Sequence, residues 1–277
     1  MPYFEVEGAS LYYETVGSGP LLFCIHGGNG SGDIWKLLAE SLKDQYTVAF
    51  YDRRGFSRSY LAGSQDYEHR LERDADDARE LIEHLSKDPA TVIGNSSGAI
   101  VSLALLSRHP DVIRALIPHE PPAIMLLPDK DKLSARQRDV YDTYRKRGVS
   151  PALKKFVELN QAGPEGQIMV ATFDPRSGPF VSQNMMYWFE REFLDYPLHE
   201  IDLAALEKNK HRLLPANGQM TNPEALQYRA NVVLCKKFGR KLMLLPGGHV
   251  GFTSHFEAFA KQLLEALKEF EKTPGKL

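Results

Sequence analysis

The stretch Thr91-Val92-Ile93-Gly94-Asn95-Ser96-Ser97-Gly98-Ala99 decides how this chain is read. A short β-branched run ends at Ile93, a G-x-S-x-G pentapeptide fills positions 94–98, and Ala99 to Leu106 is apolar almost all round. That order predicts a buried strand, a sharp turn and a helix packed between other elements. The turn leaves room only for small residues two before and two after the serine, and Gly94 and Gly98 stand there. It lifts the Ser96 hydroxyl off the sheet. The helix that follows aims its free N–H groups and the positive end of its dipole at the same point, where an oxyanion would be stabilised.

Outward from this stretch, short apolar runs alternate with helical patterns, which predicts an α/β domain with a mainly parallel sheet. Tyr3–Glu7 and Leu11–Val16, separated by Gly8-Ala9-Ser10, predict a hairpin. Leu21–Ile25, Thr47–Tyr51, Ala90–Ile93, Ile113–Pro118, Arg212–Leu214 and Lys241–Leu245 complete an eight-stranded sheet. Tyr67, Leu71, Ala75, Ala78, Ile82 and Leu85 mark one helical face, and Phe252, Phe256, Phe259, Leu263, Leu267 and Phe270 another. The alternation stops between Ala123 and Ala205, where helices are expected around Ala135–Arg147, Pro151–Gln161 and Pro179–Asp195. Residues 1–122 and 206–277 therefore read as the core, and 123–205 as a helical cap inserted over the end of the sheet.

Composition narrows the function. The 277 residues carry 34 Lys and Arg against 36 Asp and Glu, a net charge of −2 that argues against a nucleic-acid binder. Cys24 and Cys235 form no disulfide framework, no Lys or Arg precedes Lys36, and the apolar runs are too short to span a bilayer. A cytoplasmic protein with no membrane partner is expected. The histidines show no H-E-x-x-H or paired-Cys spacing, and no G-x-G-x-x-G follows the first parallel strand, so neither a metal nor another cofactor is expected.

The pentapeptide, together with His26-Gly27-Gly28 after the third strand, Asp52-Arg53-Arg54-Gly55-Phe56-Ser57-Arg58-Ser59 after the fourth and a late histidine, resembles the α/β-hydrolase superfamily. Gly94 to Ala99, His119-Glu120-Pro121-Pro122 and Leu244-Leu245-Pro246-Gly247-Gly248-His249 are similar to the zearalenone-type lactonase branch of it. The resemblance implies a serine hydrolase with Ser96 as nucleophile. One oxyanion donor is the N–H of Ser97; the other comes from the loop after the third strand, with Gly28 implied by the resemblance and Gly27 as its neighbour.

Among nine histidines, His249 follows the last strand and precedes the terminal helix, where this fold delivers its base; His255, on that helix, is the rival. After the seventh strand Pro215 to Asn222 holds amides and no carboxylate, and Glu224 reads as a helix first-turn residue. Glu120, at the end of the sixth strand, occupies the position that dehalogenases and the lactonase branch use for their acid. The expected substrate is a small apolar ester, lactones foremost, with a ligand-binding sensor or a carbon–carbon hydrolase as alternatives. Trp188, within the Met- and aromatic-rich Asn184–Phe189, lies where the lactonase branch carries a substrate-contacting tryptophan. The same stretch could equally join cap to core.

Overall fold

The computed structural model describes residues 2–28, 30–160, 171 and 173–272. Strands β1 (Tyr3–Val6) and β2 (Ala9–Val16) form the expected antiparallel hairpin. They are followed by β3 (Leu21–Ile25), β4 (Thr47–Tyr51), the two-residue β5 (Tyr60–Leu61), β6 (Ala90–Asn95), β7 (Ile113–His119), β8 (Ala216–Gly218) and β9 (Met243–Leu245). The sheet order is β1-β2-β4-β3-β6-β7-β8-β9, with β5 pairing β2 off that path. Pairs involving β1 and β2 are antiparallel, and β4-β3-β6-β7-β8-β9 are all parallel. The eight-strand, mostly parallel expectation therefore holds along the main path, and β5 is an addition.

Each central strand feeds two cores. In β3, Leu21, Phe23 and Ile25 join one apolar cluster while Leu22 and Cys24 join the other. That two-residue alternation is why the run is apolar throughout: both faces are covered. Helices α1 (Lys36–Leu42), α2 (Arg70–Leu85) and α3 (Ser97–Arg108) supply the first cover. Between β7 and β8 lie α4 (Lys130–Arg147), α5 (Val149–Leu159), α6 (Val181–Arg191) and α7 (Leu203–Asn209). Then come α8 (Leu226–Phe238), α9 (Gly251–Ser254) and α10 (Phe256–Lys272). Helices α2 and α3 pack on the first cluster, α1 and α10 on the second. Leu133 and Val140 of α4, Leu153 of α5 and Trp188 of α6 build a third cluster, which Phe56 and Leu226 join, whereas Tyr196 and Leu206 already belong to the first.

Two expectations need correction. Arg212–Leu214 is not a strand: Lys210–Arg212 is a 3-10 turn, and Leu213 makes a single bridge to Leu116. The strand is Ala216–Gly218, beyond Pro215: Leu214 still donates to the Leu116 carbonyl, but the proline has no N–H to donate, which interrupts the ladder ahead of Ala216. The terminal helix is broken at His255 into α9 and α10, so Phe252 and Phe259 sit on separate helices yet reach the same cluster. The helix expected at Pro151–Gln161 runs Val149–Leu159; Gln161 lies outside the described residues.

Candidate active site

Ser96 joins β6 to α3 with φ 56° and ψ −126°, a conformation side-chain-bearing residues rarely adopt. The two glycines around it are sterically required. A Cβ on Gly94 would lie 2.3 Å from the Gly98 carbonyl oxygen, and one on Gly98 would lie 2.4 Å from that of His26. The Ser96 N–H donates to the His119 carbonyl at 3.0 Å, tying the turn to the end of β7.

Just past β7, Glu120 also takes a positive φ, 52°, and its side chain is fully buried. Its Oε1 accepts from the Gly218 N–H at 2.8 Å, and its Oε2 lies 2.7 Å from His249 Nδ1. Burial would raise the Glu120 pKa, yet the hydrogen bond and charge of His249, helped by His119 and Thr221, bring it below the ordinary carboxylate value. An ionised carboxylate only accepts, so His249 Nδ1 carries the proton and Nε2 is left with the lone pair. Asn95 holds the same loop from the other side, donating through Nδ2 to the His249 carbonyl at 2.9 Å and to His119 Nδ1 at 3.1 Å.

Ser96, Ser97, His249 and Trp188 line one cavity, together with Phe156, Leu226 and Glu192. Gly27 lies against Ser96, since a Cβ there would be 2.8 Å from Ser96 Cβ. Gly28 lies against the indole, where a Cβ would be 2.5 Å from Trp188 Nε1. The two turn glycines thus each pack against a residue that lines the cavity, Gly27 on Ser96 and Gly28 on Trp188. The rivals are elsewhere: Glu224 is exposed, and His255 is exposed with Ser254 Oγ 2.9 Å from its Nδ1. Of the Met- and aromatic-rich stretch only Trp188 lines this cavity. Asn184 accepts from Ser57 N–H at 2.8 Å, Tyr187 accepts from Arg70, and Met186 faces solvent. The stretch joins helix to core and presents one ring to the cavity.

The turn after β3 is held from behind by a buried arginine that the sequence reading did not single out. Arg53 Nε donates to the His26 carbonyl at 3.2 Å, and its backbone N–H donates to His26 Nε2 at 2.9 Å. His26 Nδ1 is then the protonated nitrogen and donates to the Gly27 carbonyl at 2.7 Å. Burial and the Arg53 charge keep the His26 pKa well below its ordinary value, so the ring stays neutral. Arg53 also donates to Asp74 at 2.6 Å and to both oxygens of Glu192, at 2.5 and 2.9 Å. Arg70 lies 3.4 Å from Asp74 and 3.5 Å from Glu192. Arg70 and Asp74 flank Leu71 and Ala75 on the buried face of α2, and charges at that register were the available signal.

A parallel sheet whose strand–turn–helix serine shares a cavity with a carboxylate-oriented histidine is the architecture of the α/β hydrolases. The chain belongs to that family: the family model for the alpha/beta hydrolase fold matches residues 20–180. It is 31% identical over 272 residues to the uncharacterized hydrolase YraK of Bacillus subtilis, covering 97% of this chain and 96% of that one. It is 26% identical over 272 residues to a zearalenone hydrolase of Cladophialophora bantiana, covering 95% of each. The solved structure of a thermophilic esterase from Thermogutta terrifontis superposes with a TM-score of 0.69 at 18% identity, covering 94% of both chains. The chain is thus a hydrolase of the alpha/beta fold. Among the described residues no group of three or more His, Cys, Asp or Glu could hold a metal, and no helix is long and apolar enough to cross a membrane.

Proposed function

We propose that this hydrolase cleaves carboxylic esters, lactones foremost, through an acyl-enzyme on Ser96. The observation that carries the reading is the 2.7 Å contact from His249 Nδ1 to the buried Glu120, in a loop that lines the same cavity as Ser96. With Nδ1 engaged, His249 Nε2 takes the Ser96 proton as the hydroxyl attacks the ester carbonyl, and Glu120 stabilises the imidazolium. The N–H groups of Ser97 and of Gly28, or of its neighbour Gly27, receive the oxyanion. The alcohol oxygen leaves with the proton from His249; in a lactone it stays tethered to the acyl group. Water, deprotonated by the same nitrogen, then releases the acid and frees Ser96. Residues 123–205 act as the cap, with Trp188 as the ring that meets substrate. The zearalenone hydrolase relative supports a lactone as the ester.

The test is a pre-steady-state burst with an activated ester, followed by mass spectrometry of the intact protein. A transient gain equal to the acyl group, absent in Ser96→Ala, is expected, with turnover falling by at least about 10³-fold. Turnover retained in Ser96→Ala would give the nucleophile role to another group. Saturable ligand binding with no burst for any ester would favour a sensor.

A further inference from the structure

Four amides line the cavity with Ser96 and His249: the exposed Asn222, and three buried ones, Gln137 of α4, Asn160 at the end of α5 and Gln227 of α8. Gln227 is only 5% exposed, and its Oε1 has no hydrogen-bond partner. An unpaired buried amide oxygen costs about 1–3 kcal/mol, and a leucine of similar volume would avoid that cost. Gln137 Nε2 donates to the Phe193 carbonyl at 2.6 Å, and Asn160 Nδ2 to the Phe156 carbonyl at 2.8 Å. A carbonyl can only accept, so both amides are fixed with nitrogen toward the backbone and oxygen turned the other way. Three helices thus bring amide oxygens to the border of one space, beside the apolar side chains of Phe156, Trp188 and Leu226.

We infer that these amides form a subsite for hydroxyl groups, so that the ester this site takes is uncharged and hydroxyl-bearing. The inference rests on the ester-hydrolase reading above and deepens it. A hydroxyl donates to the fixed oxygens of Gln137 and Asn160, and it both donates to and accepts from the amide of Gln227. A carboxylate would meet acceptors, and among the described residues that line the cavity there is no Lys or Arg to neutralise it. An ammonium would find acceptors, but the lining carboxylate, Glu192, is already committed to Arg53. Burying either charge among Phe156, Trp188 and Leu226 without a counter-charge is unfavourable.

The test uses Ser96→Ala, which binds without turning over, and calorimetry with four methyl esters of one phenylalkanoic acid carrying a ring hydroxyl, methoxyl, carboxylate or aminomethyl group. The hydroxyl ester should bind about tenfold tighter than the methoxyl ester. Adding Gln227→Leu, or Gln227→Met should the first variant not fold, should shrink that ratio below about threefold. The inference is overturned if the hydroxyl ester fails to bind at millimolar concentration, if methoxyl binds as well, or if a charged ester binds tightest. Turnover by the unmutated protein separates the two readings. No hydrolysis of any ester defeats the proposed function, whereas hydrolysis without a hydroxyl preference defeats the subsite alone.

Discussion

On its sheet side the cavity is walled by strand ends, and on its other side by helices that no β-ladder reaches. Ser96 and Glu120 sit just past adjacent parallel strands, both at positive φ, and backbone bonds fix them: Ser96 N–H to His119 and Glu120 N–H to Ala216, at 3.0 and 3.1 Å. Trp188 and Glu192 ride at the end of α6, which is tied to the core by the Asn184 amide at Ser57 and Gly30, by apolar packing with Phe56 and Leu226, and by buried charge at Glu192. Arg53 and Arg70 face Asp74 and Glu192, a buried quartet of zero net charge, with the Tyr196 hydroxyl donating to Asp74 at 2.7 Å. Backbone ladders are directional and shared over many residues; an ion quartet is strong only while complete. The two walls should therefore respond differently to loss of a carboxylate: at Glu120 in the first it shows in rate, at Glu192 in the second in stability.

The largest effect is expected on the sheet side. Glu120→Gln keeps the size of the side chain but cannot hold the imidazolium, and kcat should drop by about 10²–10⁴-fold. KM and the unfolding midpoint should move little by comparison. Glu224→Gln, at an exposed turn, should leave kcat near that of the unmutated protein. Steady-state kinetics on the pair decides it: a collapse in Glu224→Gln with Glu120→Gln intact would put the acid after β8.

Glu192→Gln strikes the other wall. It leaves two buried arginines facing one carboxylate, and breaking such a pair destabilises by about 3–5 kcal/mol. Urea unfolding should register the loss. A change below about 1 kcal/mol would mean that the apolar contacts of Trp188, Phe189 and Phe193, rather than the quartet, hold α6 in place.

The same contrast explains what could be read in advance. Ser96, His249 and Glu120 are each announced by neighbours in the chain: a glycine pair around the serine, a strand before the glutamate, a strand and a helix around the histidine. Local sterics at a strand end leave few residue choices, so those positions are legible. The quartet joins residues 53, 70, 74 and 192, of which only 70 and 74 share a local pattern, the i,i+4 register on the buried face of α2. Its members look like surface charges until the fold buries them. Asn95 escaped notice for a related reason, since its partners at 119 and 249 come from distant loops. Arg212–Leu214 falls short of a strand because apolar character alone does not locate a ladder: Leu213 and Leu214 reach Leu116, and Pro215, with no N–H, separates them from the strand at Ala216.

Acid should weaken the sheet wall through His119. This ring is fully buried, accepts from Asn95 at Nδ1, and packs edge-on to Phe252 and Phe259 with Nε2 unpartnered. Burial lowers its pKa from 6.5 to about 4, the opposing pull of Glu120 being smaller. A histidine whose folded pKa is lowered stays neutral in the fold while the unfolded chain takes up its proton. Stability is therefore lost as pH falls from about 6.5 toward 4, by about 3 kcal/mol. His119→Asn keeps an acceptor for Asn95 and removes the titration. Its unfolding free energy should fall less steeply over that window, and His26, common to both proteins, cancels in the difference. Parallel pH profiles would remove His119 as the source.

The smallest effect tests how much of the helical wall is charge and how much is hydroxyl. The Tyr187 hydroxyl accepts from Arg70, whose other nitrogens reach the Arg54 carbonyl at 2.9 Å and Asp74 at 3.4 Å. Tyr187→Phe removes one acceptor and keeps the ring that packs edge-on against Phe56. Arg70 retains its carboxylates, so no charge is orphaned, and the loss is that of a single hydrogen bond to a charged donor. That amounts to about 1.5–3 kcal/mol where the donor stays desolvated. Tyr187 is only partly buried, and water can take the place of its hydroxyl, which puts the expected value near 1 kcal/mol. The comparison with Glu192→Gln is then the informative one. If Tyr187→Phe costs as much as Glu192→Gln in the same urea series, the wall is held by its hydroxyls, and the charge balance of the quartet is not what fixes α6.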